Sequence, residues 1–436
     1  MRYPSTVKSP AKIPSLLPMP ASPKGARVWL AFSGGLDSTA LLHLLHAQGI
    51  KGLHALHIHH GLQETADAWA KQCQAQCRKL KVPCEVLHVK IDPTDASGPE
   101  ASARMARYNA LRSKMRAGDV LVTAHHRDDQ AETVLLRLLR GAGVAGLAAM
   151  RPVTVFAPGT LWRPLLQTPR TEILAYAKSA KLKWIEDPHN YSPRYARSYL
   201  RQDVLPRLRE HWPQADVSLA RAAEHCAEAN ELLDELAQQD LKTLQRNETL
   251  SVVSLQNLST ARRRNAIRYW LNERGFEAPA AAMLQRLERE VLQARIDAQP
   301  LLNCGAYEFR RYRDELYVMA PLLKAPHDVE LQWDGKGRLE LPEGCGALTS
   351  SSRKPLPHLL TIRFPSGGET LRTGGASRTR TLKNLFQEAA VPQWQRLRTP
   401  LIYSEGRLVS VADRWLGPEW SAELARRKLR ITWSDV

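Results

Sequence analysis

The stretch from Val28 to Leu45, VWLAFSGGLDSTALLHLL, constrains this chain more than any other: an apolar run breaks at Ser33-Gly34-Gly35 and resumes with helical spacing. It predicts a buried strand, a glycine turn and a helix. Gly34 and Gly35 let the backbone turn sharply and approach a ligand, while Ser33, Ser38 and Thr39 place hydroxyls beside the unpaired N–H groups of the helix start. Such a turn cradles an anion. It has neither the lysine of G-x-x-x-x-G-K-[ST] nor the spacing of G-x-G-x-x-G, which excludes the Walker A loop and the dinucleotide fingerprint. An ordinary strand-to-helix turn would also account for Ser-Gly-Gly, but not for Asp37, which repels a phosphate unless a divalent cation stands between them.

Further along, Leu53 to His60, Glu85 to Val89 and Val120 to Ala124 read as strands, with the helical pattern Thr65 to Leu80 between the first two. Alternating strands and helices predict an α/β fold with a doubly wound parallel sheet, whose ligands sit beyond the carboxyl ends of the strands. The histidines of His54 to His60 alternate faces on a strand and cannot all converge on a metal.

At 436 residues the chain exceeds a single core. We expect a flexible proline- and serine-rich arm over 1–25, a catalytic domain over 26–215, a mainly helical domain over 216–325, a linker over 326–357 and a small basic α+β domain over 358–436. The net charge of +18 suggests a polyanionic partner, with nucleic acid, anionic lipid and mere solubility not separated by charge alone. No apolar run is long enough to span a membrane, and Pro14 and Pro18 interrupt the only apolar patch of the arm, against a signal peptide. Six cysteines without a C-x-x-C read as reduced thiols of a cytoplasmic protein.

Two further segments carry charge at helical spacing. In PEASARMARYNAL, Arg104 and Tyr108 share a face with Arg107 beside them, suited to phosphate oxygens or simply to solvent. After Val120 to Ala124 comes HHRDDQAET, in which Asp129 and Glu132 project together near a helix start. Paired acids there serve either as partners of the helix dipole or as a seat for an amine.

The hexapeptide Ser33-Gly34-Gly35-Leu36-Asp37-Ser38 resembles the S-G-G-x-D-S loop of the PP-loop ATPases, which cleave ATP between the α and β phosphates and transfer AMP to an oxygen. Thr123 to Gly143, together with Arg163-Pro164-Leu165-Leu166 and Glu186-Asp187-Pro188, is similar to the signatures of the tRNA(Ile)-lysidine synthetase family within it. The resemblance implies that Ser33 to Ser38 bind ATP, that Asp37 engages magnesium, that Asp129 and Glu132 hold the ammonium groups of L-lysine, and that His125 lies near the activated base. It implies a tRNA(Ile) partner with a CAU anticodon, and Arg104 or Arg107 neutralising the departing pyrophosphate. The chain departs from the family pattern at His59, Gln63 and His189, to which no role is assigned.

The remaining basic residues are candidates for the tRNA backbone. Arg194, Arg197 and Arg201 form a helical stripe, Arg262, Arg263 and Arg264 precede a helix, and Lys383 and Arg396 fall in a tail holding 15 Lys and Arg against 7 Asp and Glu from Arg353 to Val436. That tail resembles the C-terminal domain of longer family members. The sequence leaves the oligomeric state open, a homodimer included. Its main rival reading is a PP-loop tRNA thiolase; against it, Cys73 and Cys77 are expected on a helix face turned away from the loop.

Overall fold

The structure, a computed structural model, describes residues 13–59, 61, 65–89, 99–186, 196–295, 297–373 and 379–434. It divides into two compact units, Met1–Leu233 and Asp234–Val436.

In the first unit the elements run β1 (Val28–Ala31), α1 (Leu36–Ala47), β2 (Leu53–His59), α2 (Ala66–Lys79), β3 (Cys84–His88), α3 (Pro99–Lys114) and β4 (Val120–Val122). They continue with α4 (Arg127–Leu139), α5 (Val144–Leu147), β5 (Val153–Phe156), β6 (Gly159–Trp162) and α6 (Arg170–Ser179). The unit then runs into α7 (Ala196–Tyr199), a π-helical turn at Leu200–Val204, α8 (Leu205–His211) and the start of α9 (Ala215–Leu244). The strands form one sheet in the order β3-β2-β1-β4-β6-β5, parallel throughout except at the β5–β6 hairpin.

The central strands explain why β1 reads as an unbroken apolar run. Val28 and Leu30 pack into one cluster with α1, α2 and α6, while Trp29 packs into a second with Leu111 of α3. With both faces covered, no position is left to be polar. Trp29 still needs a partner for its indole N–H, and buried Asp119 supplies it: its carboxylate accepts from Trp29 Nε1 (3.0 Å), from the Arg27 N–H (2.9 Å) and from the Arg116 N–H (3.0 Å). Against the cost of burial, those donors hold the Asp119 carboxyl below its usual value.

The chain winds from β1 outward to β3, then returns to place β4 on the other side of β1. The carboxyl ends of β1 and β4 therefore flank the switch point of the sheet, where such folds open a crevice. Histidines 54, 57 and 59 have separate partners, the Gly52 carbonyl, the Phe32 carbonyl and the Asp67 carboxylate. Gln63, Asp187, His189 and Arg194 lie outside the described residues.

The second unit has the helical middle region expected and departs from expectation at the linker. Helices α10 (Val252–Asn257), α11 (Thr260–Glu273) and α12 (Ala281–Arg286) do form, but they enclose a five-stranded antiparallel sheet. Its strands are β7 (Gln245–Arg246), β8 (Thr249–Ser251), β9 (Leu301–Asn303), β10 (Glu308–Tyr312) and β11 (Glu315–Met319), of which β10 and β11 pair as a hairpin. The expected linker is no linker. It contributes β12 (Leu331–Trp333), β13 (Arg338–Glu340) and β14 (Ala347–Ser350), and these pair with β15 (Leu360–Arg363) and with the last strand, Ile431–Ser434. Its glycines close hairpin turns between short strands, a role that uses the same residues as a domain boundary.

Candidate functional site

The glycine turn is built as its sequence suggests. Gly34 has φ +80°, and a Cβ there would stand 2.6 Å from Ile185 Cδ1 and 2.7 Å from Cys73 Sγ. Gly35 caps α1 with no side-chain bond, leaving the first N–H groups of the helix to a ligand. The hydroxyls of Ser33 and Ser38 lie 3.0 Å apart over the turn, and Thr39 braces it by donating to the Gly34 carbonyl at 3.1 Å. Cys73 corrects an expectation: its side of α2 faces the loop, fully buried, and burial pushes its thiol up to about 12.

At the end of β4, His126 caps α4. Its Nδ1 accepts from the Asp129 N–H (3.4 Å), and Asp129 Oδ2 accepts from the His126 N–H (3.0 Å). This reciprocal box fixes the imidazole, 1% exposed, so that Nε2 points to Asp129 Oδ2 at 3.3 Å and Asp37 Oδ2 at 3.7 Å. Burial alone would lower the His126 pKa, but the carboxylates of Asp129 and Asp37 outweigh it and the net shift is upward. Sequence reading missed His126; its signal was an acid three residues after a polar cap, obscured because histidine is seldom the capping residue.

Asp129 and Glu132 do share a face, and Arg201 occupies it. Arg201 Nε donates to Glu132 Oε1 at 2.6 Å, while Nη2 donates to Glu132 Oε2 at 3.1 Å and Asp129 Oδ1 at 2.9 Å. This corrects the expectation of Arg201 as a backbone-phosphate contact: its guanidinium points inward to the acids. Arg197 of the same stripe donates to Thr133 Oγ1 at 3.3 Å. Burial outweighs the guanidinium and leaves the Glu132 carboxyl above its usual value, whereas Asp129 is held below its own by His126, His125 and Arg201 against the burial that raises it.

Arg170, at the start of α6, completes the ring. Its Nε and Asp37 Oδ1 are both buried without a hydrogen-bond partner and stand 3.7 Å apart. The Asp128 carboxylate accepts from the Arg170 N–H (2.9 Å) and from Arg209 Nη2 (2.6 Å). His125 accompanies the site differently. Its Nδ1 lies 2.8 Å from Thr123 Oγ1, and burial, aided by Arg163, Arg197 and Arg104 and opposed by Asp129, drops its pKa to about 4, so the ring is neutral. Arg104 and Arg107 are exposed on α3, Arg104 with its guanidinium 5.0 Å from the Tyr108 ring.

In the second unit the expected tRNA contacts are mostly committed to their own fold. Arg262 pairs with Asp240, Arg264 Nη2 donates to Glu288 at 2.7 Å, and Arg263 donates to the carbonyls of Leu255 (3.0 Å) and Leu258 (3.0 Å). Arg396 donates to the Val391 carbonyl (2.7 Å) and the Tyr312 hydroxyl (2.9 Å). Lys383 is exposed, as is Arg262 beside its Asp240 partner. The second glycine pair, Gly367-Gly368, already has its anion: the Glu369 carboxylate accepts from the Ser366 N–H (2.6 Å) and the Gly367 N–H (3.0 Å). Among the described residues, no helix is long and apolar enough to cross a membrane.

Comparison with known proteins agrees with this geometry. A family profile described as a PP-loop domain matches residues 8–208, one described as a TilS substrate binding domain matches 250–317, and one described as a TilS substrate C-terminal domain matches 360–433. The tRNA(Ile)-lysidine synthase of Methylococcus capsulatus is 39% identical over 427 residues, 94% of this chain and 97% of that protein. Those of Serratia proteamaculans and Coxiella burnetii are 40% and 38% identical, covering 93% and 90% of this chain and 94% and 91% of their own. With an anion loop and a seated acid pair meeting at one switch point, and with likeness running almost end to end, the chain belongs to the tRNA(Ile)-lysidine synthase family.

Proposed function

We propose that this chain uses ATP to join L-lysine to C2 of the wobble cytidine in the CAU anticodon of tRNA(Ile), releasing AMP and pyrophosphate. The observation that carries the reading is His126, whose Nε2 lies within 3.7 Å of the loop acid Asp37 and 3.3 Å of Asp129 of the acid pair. Nucleotide and amine seats thus adjoin.

The cytosine C2 oxygen is a poor leaving group, so it is first converted to a phosphate ester by transfer of AMP. The N–H groups at the start of α1 and the hydroxyls of Ser33 and Ser38 bind the phosphates, and the exposed guanidinium groups of Arg104 and Arg107 offset charge that develops on them. Asp37 would hold magnesium: its Oδ1, buried with no hydrogen-bond partner, is a hard oxygen donor facing the phosphate cradle, and the ion would neutralise phosphate charge there.

Lysine is then seated by Asp129 and Glu132. Its ε-amine, with an ordinary pKa of about 10.4, must shed a proton before it attacks. Glu132, raised by burial, accepts that proton better than His125, whose pKa of about 4 makes it a weak base. Lys383 is the exposed candidate in the basic tail for the tRNA backbone.

The test supplies the purified chain with ATP, radiolabelled lysine and a CAU-anticodon tRNA(Ile) transcript. Label enters the tRNA and AMP appears; a methionine tRNA with the same anticodon stays unlabelled. AMP failing to form with all substrates present would refute the reading.

A further inference from the structure

The acid pair assigned to lysine is already full. Arg201 holds Glu132 through its Nε–Nη2 edge and reaches Asp129 Oδ1 from the same Nη2, while Asp129 Oδ2 accepts from the His126 N–H. Each of the four carboxylate oxygens thus has a donor. A second cation added beside Arg201 would meet its repulsion in a site where Glu132 has no exposure to water.

Next to this ion pair lies a half-open cavity of about 210 Å³, below the range of roughly 300–1,000 Å³ typical for drug-sized ligands and on the scale of one amino acid. Its lining is charged at Glu132, Arg201, Asp128, Arg170 and Arg209 and apolar at Leu174 and Leu205. Arg170 brings an Nε that makes no hydrogen bond and stands 3.7 Å from Asp37 Oδ1. Acids, arginines and apolar side chains on one small cavity suit a zwitterion with a methylene chain and a terminal cation.

Arg201 is built to move. It sits in the π-helical turn Leu200–Val204, where the helix carries an extra residue per turn, a form that recurs at functional sites. Its neighbours Leu200 and Leu205, 4% and 1% exposed, anchor the helix, while the Arg201 side chain keeps 34% of its surface open. It can leave without unpacking the core.

We propose that Arg201 is a place-holding cation that the substrate's own terminal ammonium displaces, and that the adjoining cavity is the amino-acid pocket, with Arg170 taking the carboxylate and Leu174 and Leu205 the methylenes. Until lysine arrives, the guanidinium keeps the two buried acids paired and in position. Exchange of one cation for the other conserves charge, so a neutral side chain cannot drive it. This gives the pocket a selection rule: the ligand must bring a positive end. The inference rests on the lysine-seat reading of Asp129 and Glu132.

The experiment follows lysine binding by calorimetry and the Arg201 Nε–H by NMR of arginine-labelled protein, with R201K identifying the signal. In the wild type the Arg201 signal moves on saturation with lysine and stays put with norleucine. R201M, which removes the competitor, binds lysine roughly fivefold tighter or more, since the seat is no longer taken in most molecules. R201K falls between the two. An Arg201 signal unmoved by saturating lysine, or weaker lysine binding by folded R201M, overturns the proposal; if R201M does not fold, the wild-type titration decides alone. D129N and E132Q separate the two levels. If both lose lysine while the Arg201 signal of the wild type stays put, only the exchange fails; if both keep full lysine affinity, the lysine-seat reading fails with it.

Discussion

His126 Nε2 stands 3.7 Å from Asp37 Oδ2, which ties the first turn of α1 to the cap of α4 across the switch point of the sheet. The neutral ring caps α4 through its Nδ1 acceptor, and the protonated ring, which can only donate, is held instead by the acids around it. H126A is expected to cost about 1 kcal/mol for the lost cap and to lower pyrophosphate release. H126N keeps an acceptor at the cap and most of the stability, yet loses the charge, so its pyrophosphate release still falls. Denaturant unfolding beside a pyrophosphate assay distinguishes the two.

The same residue gives a pH dependence. Its folded pKa is raised above the reference value of 6.5, so its charged contribution is complete below that value and disappears as pH rises through the folded pKa. The stability advantage of wild type over H126N should be larger at about pH 6 than at about pH 9, measured by urea midpoints across that range. An advantage that grows with pH would show the ring to be neutral throughout.

Gly34 makes a steric prediction. G34A should cost about 1–2 kcal/mol for the positive φ, with a further share from the 2.6 Å approach to Ile185 Cδ1 and the 2.7 Å approach to Cys73 Sγ. Placed in a C73A/I185V background, the same change should recover the contact share but not the backbone share. Thermal melts of the four variants, with ATP cleavage as the functional readout, check the split.

Cys73 and Cys77 are fully buried, and burial raises the Cys73 thiol to about 12, far from a working nucleophile. The C73A/C77A double variant should therefore retain lysine transfer per folded molecule. Loss of transfer from a variant with an intact fold would return the thiolase reading to contention.

Asp119 lies at the opposite, amino-terminal end of the central strands from the glycine turn, and tests the scaffold alone. D119A strips an acceptor from the Arg27 N–H, the Arg116 N–H and the Trp29 indole, and should cost about 3–5 kcal/mol, with KM for ATP and lysine unchanged. Because its folded pKa is depressed, the contribution of Asp119 is present above its reference value of 3.8 and is lost as pH falls through the folded value. Acid unfolding of D119N should accordingly be less steep than that of the wild type.

What could be read in advance depended on where the chemistry sits along the chain. The nucleotide loop spans six consecutive residues, Ser33 to Ser38, and the acid pair lies on one helical turn, so local pattern sufficed for both. Helical spacing says which residues share a face but not where the face looks. That is why Arg201 was taken for a phosphate contact while it grips Glu132, and why Cys73 was turned away from a loop it touches. His126 joins residues distant in sequence, and no spacing rule links position 126 to position 37. In 326–357, glycine and proline mark reversals between strands that pair only with segments far downstream.

The adjacency of β1 and β4 has a consequence for how such a protein can diversify. In the proposed assignment the phosphate loop follows one strand and the acid pair follows its neighbour. New specificities can be grafted onto the second while the engine on the first is left running.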